Sequence, residues 1–128
     1  MTEIAYKGGM QSTITSTAAF SNYLFIGFDG ALAGTEGEAA RGISLEASTA
    51  TGQSRTIGTV GEFPIYTGSD VATSNLAVGS PVTTDATGKA ILANADTDYV
   101  LGRALNASTA ADELIVICLN AEGRIASS

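Results

Sequence analysis

The residue types that most often do chemistry are nearly absent from this chain. Its 128 residues include no histidine, one cysteine and no tryptophan. Without histidine there is no imidazole general base, no triad built on one, and none of the commonest transition-metal ligand. Cys118 stands inside the apolar run Leu114–Leu119 with no histidine partner. It reads as a small buried core residue rather than a nucleophile. A single thiol forms no disulfide within the chain, so nothing points to an oxidising compartment.

Carboxylates are more plentiful, with 13 Asp and Glu. Asn94, Asp96 and Asp98 place several oxygens in one short loop, which is chemistry suited to Ca²⁺. The sharp-turn glycine and distal glutamate of an EF-hand loop are missing, so a solvated acidic turn is expected. Asp85-Ala-Thr-Gly-Lys89 has the look of a phosphate loop. However, Thr83 stands where the first glycine belongs, and Ala90 replaces the magnesium-binding Ser/Thr. It reads as a hairpin turn. A glycosidase pair of carboxylates is defined in space rather than in sequence, but four Tyr, four Phe and no Trp offer little to stack on a sugar. Asn106-Ala-Ser108 fits the glycosylation sequon, which carries meaning only in a secreted chain. No catalytic residue, cofactor site or metal ligand is expected, and the chain does not read as an enzyme.

The elements that would position any site are strands. Tyr23–Phe28 is a short aromatic and β-branched run closed by Asp29-Gly30, and Gly42–Ala47 alternates apolar and polar residues. Arg55–Val60 and Phe63–Tyr66 are expected as two strands around Gly61-Glu62, with Pro64 marking an edge or a break in the ladder. Further strands are expected around Ala77–Val82, Lys89–Ala93, Tyr99–Leu105 and Glu113–Leu119. Short strands separated by Gly-rich turns, without a 3.6-residue stripe, predict an all-β fold, a small β-barrel or β-sandwich.

One segment repeats. Gly42-Ile-Ser-Leu-Glu-Ala-Ser-Thr-Ala50 returns sixty residues later as Gly102-Arg-Ala-Leu-Asn-Ala-Ser-Thr-Ala110, and Ile57 falls on Ile117 in the same register. Two similar β units therefore build the domain, expected at about 22–68 and 69–120 within a single domain at 22–128, with a polar tail at 121–128. Residues 1–21 differ from the rest. They hold a polar β-branched tract and little to bury, so they read as an extended N-terminal arm ordered by a neighbour, an edge strand, or a frayed terminus. Ile4, Tyr6, Met10 and Ile14 are the apolar anchors such an arm offers.

Charge limits the partners. Net charge is −7, and the six basic residues are scattered singly. No basic stripe exists for phosphate contacts, so direct nucleic-acid binding is not expected. Charged residues make up 15% of the chain, well below the roughly 25% of an average soluble domain. Such a surface suits contact with other proteins, or is simply rich in small residues with no partner. The N-terminus lacks a charged start followed by an apolar stretch, so no signal peptide is expected. No apolar run approaches the roughly 20 residues that span a bilayer. Synthesis in a cytoplasm without a membrane partner is the expectation.

The order of Gly42-Ile-Ser-Leu-Glu-Ala-Ser-Thr-Ala-Thr-Gly52, Gly61-Glu-Phe-Pro-Ile65, Val78-Gly-Ser-Pro-Val82, Asp85-Ala-Thr-Gly88, Tyr99–Leu105 and Leu114–Leu119 resembles the small β-rich capsid cement, or decoration, proteins of tailed bacteriophages. The resemblance runs from about Tyr23 to Asn120. It implies a virion structural protein on the exterior of the mature capsid, commonly a homotrimer, that bridges subunits of the major capsid protein and stabilises the shell against DNA pressure. It also implies that an N-terminal arm contributes to the capsid contact. Ile4, Tyr6 and Met10 are then the expected capsid-contact residues. The alternative is a carbohydrate- or receptor-binding β module on a phage particle, with Tyr23, Tyr66 and Tyr99 as its aromatic set.

Overall fold

A computed structural model describes residues 8–124. Eight strands form one sheet: β1 (Gly8–Thr15), β2 (Phe25–Ile26), β3 (Gly42–Ser44), β4 (Ser54–Tyr66), β5 (Pro81–Thr84), β6 (Ala90–Leu92), β7 (Tyr99–Ala104) and β8 (Leu114–Arg124). A 3-10 turn at Ser69–Ala72 is the helical content of the described residues. The sheet runs β2-β3-β4-β8-β7-β5-β6, with β1 beside β4, and every strand pair is antiparallel. Its two ends meet. Phe25 N–H of β2 donates to Gly88 O (2.6 Å), and Gly68 N–H, just past β4, donates to Ala90 O of β6 (2.8 Å). Of the expected all-β alternatives, barrel or sandwich, a nearly closed barrel is therefore what forms, and closure removes most of the strand edges an open sheet would expose.

Where two strands were expected around Gly61-Glu62, the single strand β4 runs unbroken through it. Gly61 is paired on both sides, with Gly9 of β1 and Leu119 of β8, and this pairing holds the chain extended. Pro64 fits because its partner Val116 uses its own N–H and C=O towards Asn106 Oδ1 and Leu105 N. The Pro64–Val116 pair therefore exchanges no hydrogen bond, and the missing donor points away from β8. Over Gly8–Thr15, the stretch expected as an arm or an edge strand is a strand hydrogen-bonded along β4. At the other end, β8 continues to Arg124, into the segment expected as a polar tail.

The sixty-residue echo is reproduced bond for bond. Leu45 N–H donates to Thr56 O (3.0 Å) as Leu105 N–H does to Val116 O (2.9 Å). Thr56 N–H donates to Glu46 Oε1 as Val116 N–H does to Asn106 Oδ1, both at 2.8 Å. The first of these bonds holds the Glu46 carboxyl below its ordinary range. Phe20 and Ser48 form the bridge that Leu76 and Ser108 form in the second unit. The correspondence also takes in β1. Ser12 faces Ile57 as Phe63 faces Ile117, and Ile14 faces Arg55 as Ile65 faces Ile115. Thus β1 stands to the first half of β4 as the second half of β4 stands to β8.

The core follows the units. Ile14, Phe20, Ile26 and Ile57, with Leu32 against them, make a small cluster. Their counterparts Ile65, Leu76 and Ile117 belong to the larger one with Phe25, Ile43, Phe63, Val82 and Leu101. The two clusters are tied by Gly58, whose absent Cβ leaves room for the Phe63 ring.

Candidate functional site

The polar motifs singled out in the sequence are structural. Asp85–Lys89 is a hairpin between β5 and β6, with Asp85 N–H donating to Lys89 O (2.8 Å). Asp85 Oδ1 accepts from Thr87 N–H, Thr87 Oγ1 and Lys89 N–H at 2.8–2.9 Å, and Gly88 takes the left-handed φ of +82° that closes the turn. Lys89 reaches Asp112 Oδ1 at 2.6 Å. Asp98 is buried and accepts from the N–H groups of Asn94 and Ala95, so one oxygen fastens its own loop. Among the described residues no group of three or more Cys, Asp or Glu side chains is placed to hold a metal ion. Asn106 is engaged by the backbone of β8. Tyr23 and Tyr66 pack with ring centroids 6.4 Å apart and planes at 47°, a tilted pair rather than a flat platform for a sugar.

Acidic groups nevertheless crowd one place. Partial burial, then the charges of Asp70, Asp98 and Asp85, push the Glu36 carboxyl above its ordinary range. A carboxyl whose folded-state pKa is raised opposes folding while ionised, so stability should rise as pH falls through that raised pKa. Glu36→Gln is expected to stabilise the fold at pH 7 by at most about 0.5 kcal/mol, because the group is exposed and screened, and so to raise Tm slightly. The gain should vanish below about pH 4, where the wild-type carboxyl is neutral as well. Melting curves across that range check the sign. Glu122 works the other way. Its hydrogen bond to Arg103, 2.9 Å between Nη2 and Oε1, lowers its pKa, and the small stabilisation is lost as pH falls through that lowered value.

Cys118 corrects the reading of it as a buried core residue: its side chain is exposed. Alternation along β8 turns Ile115, Ile117 and Leu119 inward and Cys118 outward. Its counterpart in the first unit is Gly58, which the Phe63 ring covers, whereas Cys118 is exposed between Glu62 and Arg103 on the neighbouring strands. One equivalent of a maleimide is therefore expected to label the folded protein with no change in Tm. A thiol that reacts only in denaturant would contradict this placement.

Of the expected contact residues, Ile4 and Tyr6 lie outside the described residues. Met10 is on β1, 66% exposed, and faces Val60 of β4, itself 44% exposed. Thr59 Oγ1 donates to Met10 O at 3.2 Å, beside the bulge that separates Met10 from Gln11. Two other large apolar side chains stand out at turns, Phe28 at 71% and Val78 at 68%. Sequence reasoning missed Val60, Phe28 and Val78. Each lies in or next to a run that reads as core, and only the pleat and the turns decide which side chains face out.

The comparisons with known proteins agree with this architecture. Residues 6–119 match the family described as phage cement protein. No curated protein sequence matches the chain. Among solved structures, the N base of the head fiber protein gp8.5 of bacteriophage phi29 has a similar fold, with a TM-score of 0.67 and 14% sequence identity. The similarity covers 92% of this chain and 100% of that one.

Proposed function

The chain belongs to the phage cement protein family and is a capsid-associated structural protein of the virion, and from that premise we propose that it binds the exterior of the mature capsid. There, as a homotrimer, it bridges adjacent subunits of the major capsid protein and helps the shell resist the pressure of packaged DNA. Its role is structural and involves no catalysis.

The family match over residues 6–119 is the observation that carries this reading. The net charge of −7 supports the outer surface, since an acidic chain is repelled by packaged DNA on the inner one. A trimer suits weak docking contacts. Once one subunit is seated, the others bind at high effective concentration, so no single contact has to be strong. Met10 and Val60 supply exposed apolar area for one such contact.

The test is co-sedimentation of the purified protein with expanded, undecorated capsids, with unexpanded procapsids as control. Saturable binding to expanded shells alone is expected. A folded protein that binds neither shell would overturn the exterior reading.

A further inference from the structure

The duplication contains its own control, and it singles out the free edge of β1. Thr56 directs its N–H and C=O towards Glu46 and Leu45, away from β1, so the facing pair Thr13–Thr56 exchanges no hydrogen bond. The backbone N–H and C=O of Thr13, and of Gln11 two residues before it, therefore point outward along the far edge of β1. No described strand pairs with that edge, and Gln11, Thr13 and Thr15 are exposed.

In the second unit the equivalent edge belongs to the second half of β4, and there it is closed. Pro64 occupies the place of Thr13 and has no donor, Glu62 occupies the place of Gln11 and is already paired with Gly8 of β1, and Tyr66 N–H is taken by Tyr23 O at 3.1 Å. Proline and cover are devices that keep an edge strand from pairing, and at Glu62 the edge is already filled by a strand. The first unit has none of them. It also carries an exposed Val60 where the second unit has Asn120, and the bulge between Met10 and Gln11 sets the exposed Met10 against it. The fold accepts a polar residue at the place of Val60, so packing does not require that exposed apolar side chain.

We propose that β1 is a strand-addition site, and that its occupant is an extended segment of the capsid subunit bearing a carboxylate and an apolar side chain. The apolar side chain packs on Met10 and Val60, and main-chain hydrogen bonds run to Gln11 and Thr13. Charge selects this occupant. Lys89 and Arg103 are ion-paired, whereas in a chain of net charge −7 Arg41 and Arg55 make no ion pair among the described residues, Arg55 donating instead to Ser54 O and Gln53 Oε1 with only the longer-range charge of Glu46 beside it. Both lie along β1: Arg41 donates to Ser12 Oγ at 3.2 Å, and Arg55 faces Ile14. A second copy pairing β1 on β1 would bring four guanidinium groups together with no carboxylate on either strand, whereas an acidic strand meets two.

This inference rests on the reading that the protein docks on a shell, and its test separates the two. Thr13→Pro copies the residue the second unit already tolerates and removes no internal hydrogen bond, so it should fold with Tm close to wild type. Its binding to expanded capsids should weaken about tenfold or more, while Thr13→Val, which keeps the N–H, should bind normally. Deuterium uptake over residues 8–15 should slow when the wild type is shell-bound. If the wild type does not bind capsids, the docking reading itself fails. Wild-type binding with an equally tight Thr13→Pro variant, or with unchanged exchange at 8–15, overturns strand addition alone. A change in the sedimentation coefficient of free Thr13→Pro overturns it too, because a second copy would then be the occupant.

Discussion

Phe63→Ala should destabilise the protein by about 3–5 kcal/mol, a large share of the roughly 5–15 kcal/mol that holds a domain folded. Phe63 is fully buried in the larger cluster. Its ring also seals the two units together, for three ring atoms lie only 2.5–2.7 Å from the position a Cβ on Gly58 would take. Removing the ring therefore leaves a cavity and separates the face of the first unit from the core of the second. Collapse is restricted because β4, which carries both residues, is paired on both flanks near Gly61. The same contact predicts coupling. Gly58→Ala should be strongly destabilising in the wild type and nearly harmless in the Phe63→Ala background, where the methyl group enters vacated space. Urea unfolding of the two single variants and the double variant measures the cycle. Strictly additive losses would show that the ring does not rest on Gly58.

Gly102→Ala comes next, with an expected loss of about 3 kcal/mol, at the top of the range for overpacking. A Cβ there would lie 2.3 Å from Cys118 O and 3.1 Å from Leu119 Cα, so the backbone of β8 itself would have to move. Gly42 has the equivalent constraint in the first unit, with Gly58 O at 2.2 Å, and Gly42→Ala should cost a similar amount. Gly52→Ala is the informative contrast. Gly52 has φ of +91° but nothing within 4 Å of its Cβ position, so it should lose only the backbone term of about 1 kcal/mol. Urea midpoints for the three variants give the ranking. A Gly102→Ala midpoint no lower than that of Gly52→Ala would refute the close-approach explanation.

These glycines also explain why the sequence was partly legible. The echo from Gly42 to Gly102 marks places where two strands come too close for any side chain, and such a requirement leaves an invariant letter in both copies. The Asp85–Lys89 turn could be read for a similar reason, since an aspartate that caps its own hairpin and a glycine at positive φ act within five residues. Continuity of β4 through Gly61-Glu62 could not, because partners on β1 and β8, distant in sequence, keep a turn-prone dipeptide extended. Nor could the kinship of β1 with the second half of β4. Their offset is shorter than the sixty residues of the echo, and across the paired stretch they share Ile14 with Ile65 and little else.

By itself the sequence determined the all-β class, the duplication, the lack of histidine-based chemistry and the resemblance to capsid cement proteins. All of these follow from composition, local turn chemistry and short-range alternation, which each segment carries with it. Tertiary structure alone decided what faces outward: that Cys118 is exposed while its counterpart Gly58 lies under Phe63, and that the β1 edge is open while Pro64, Tyr23 and β1 itself close its twin. The physical reason is that two copies of one unit, packed on each other, cannot both cover the same face. Pairing and packing make them unequal, and that inequality appears only once the chain has closed on itself.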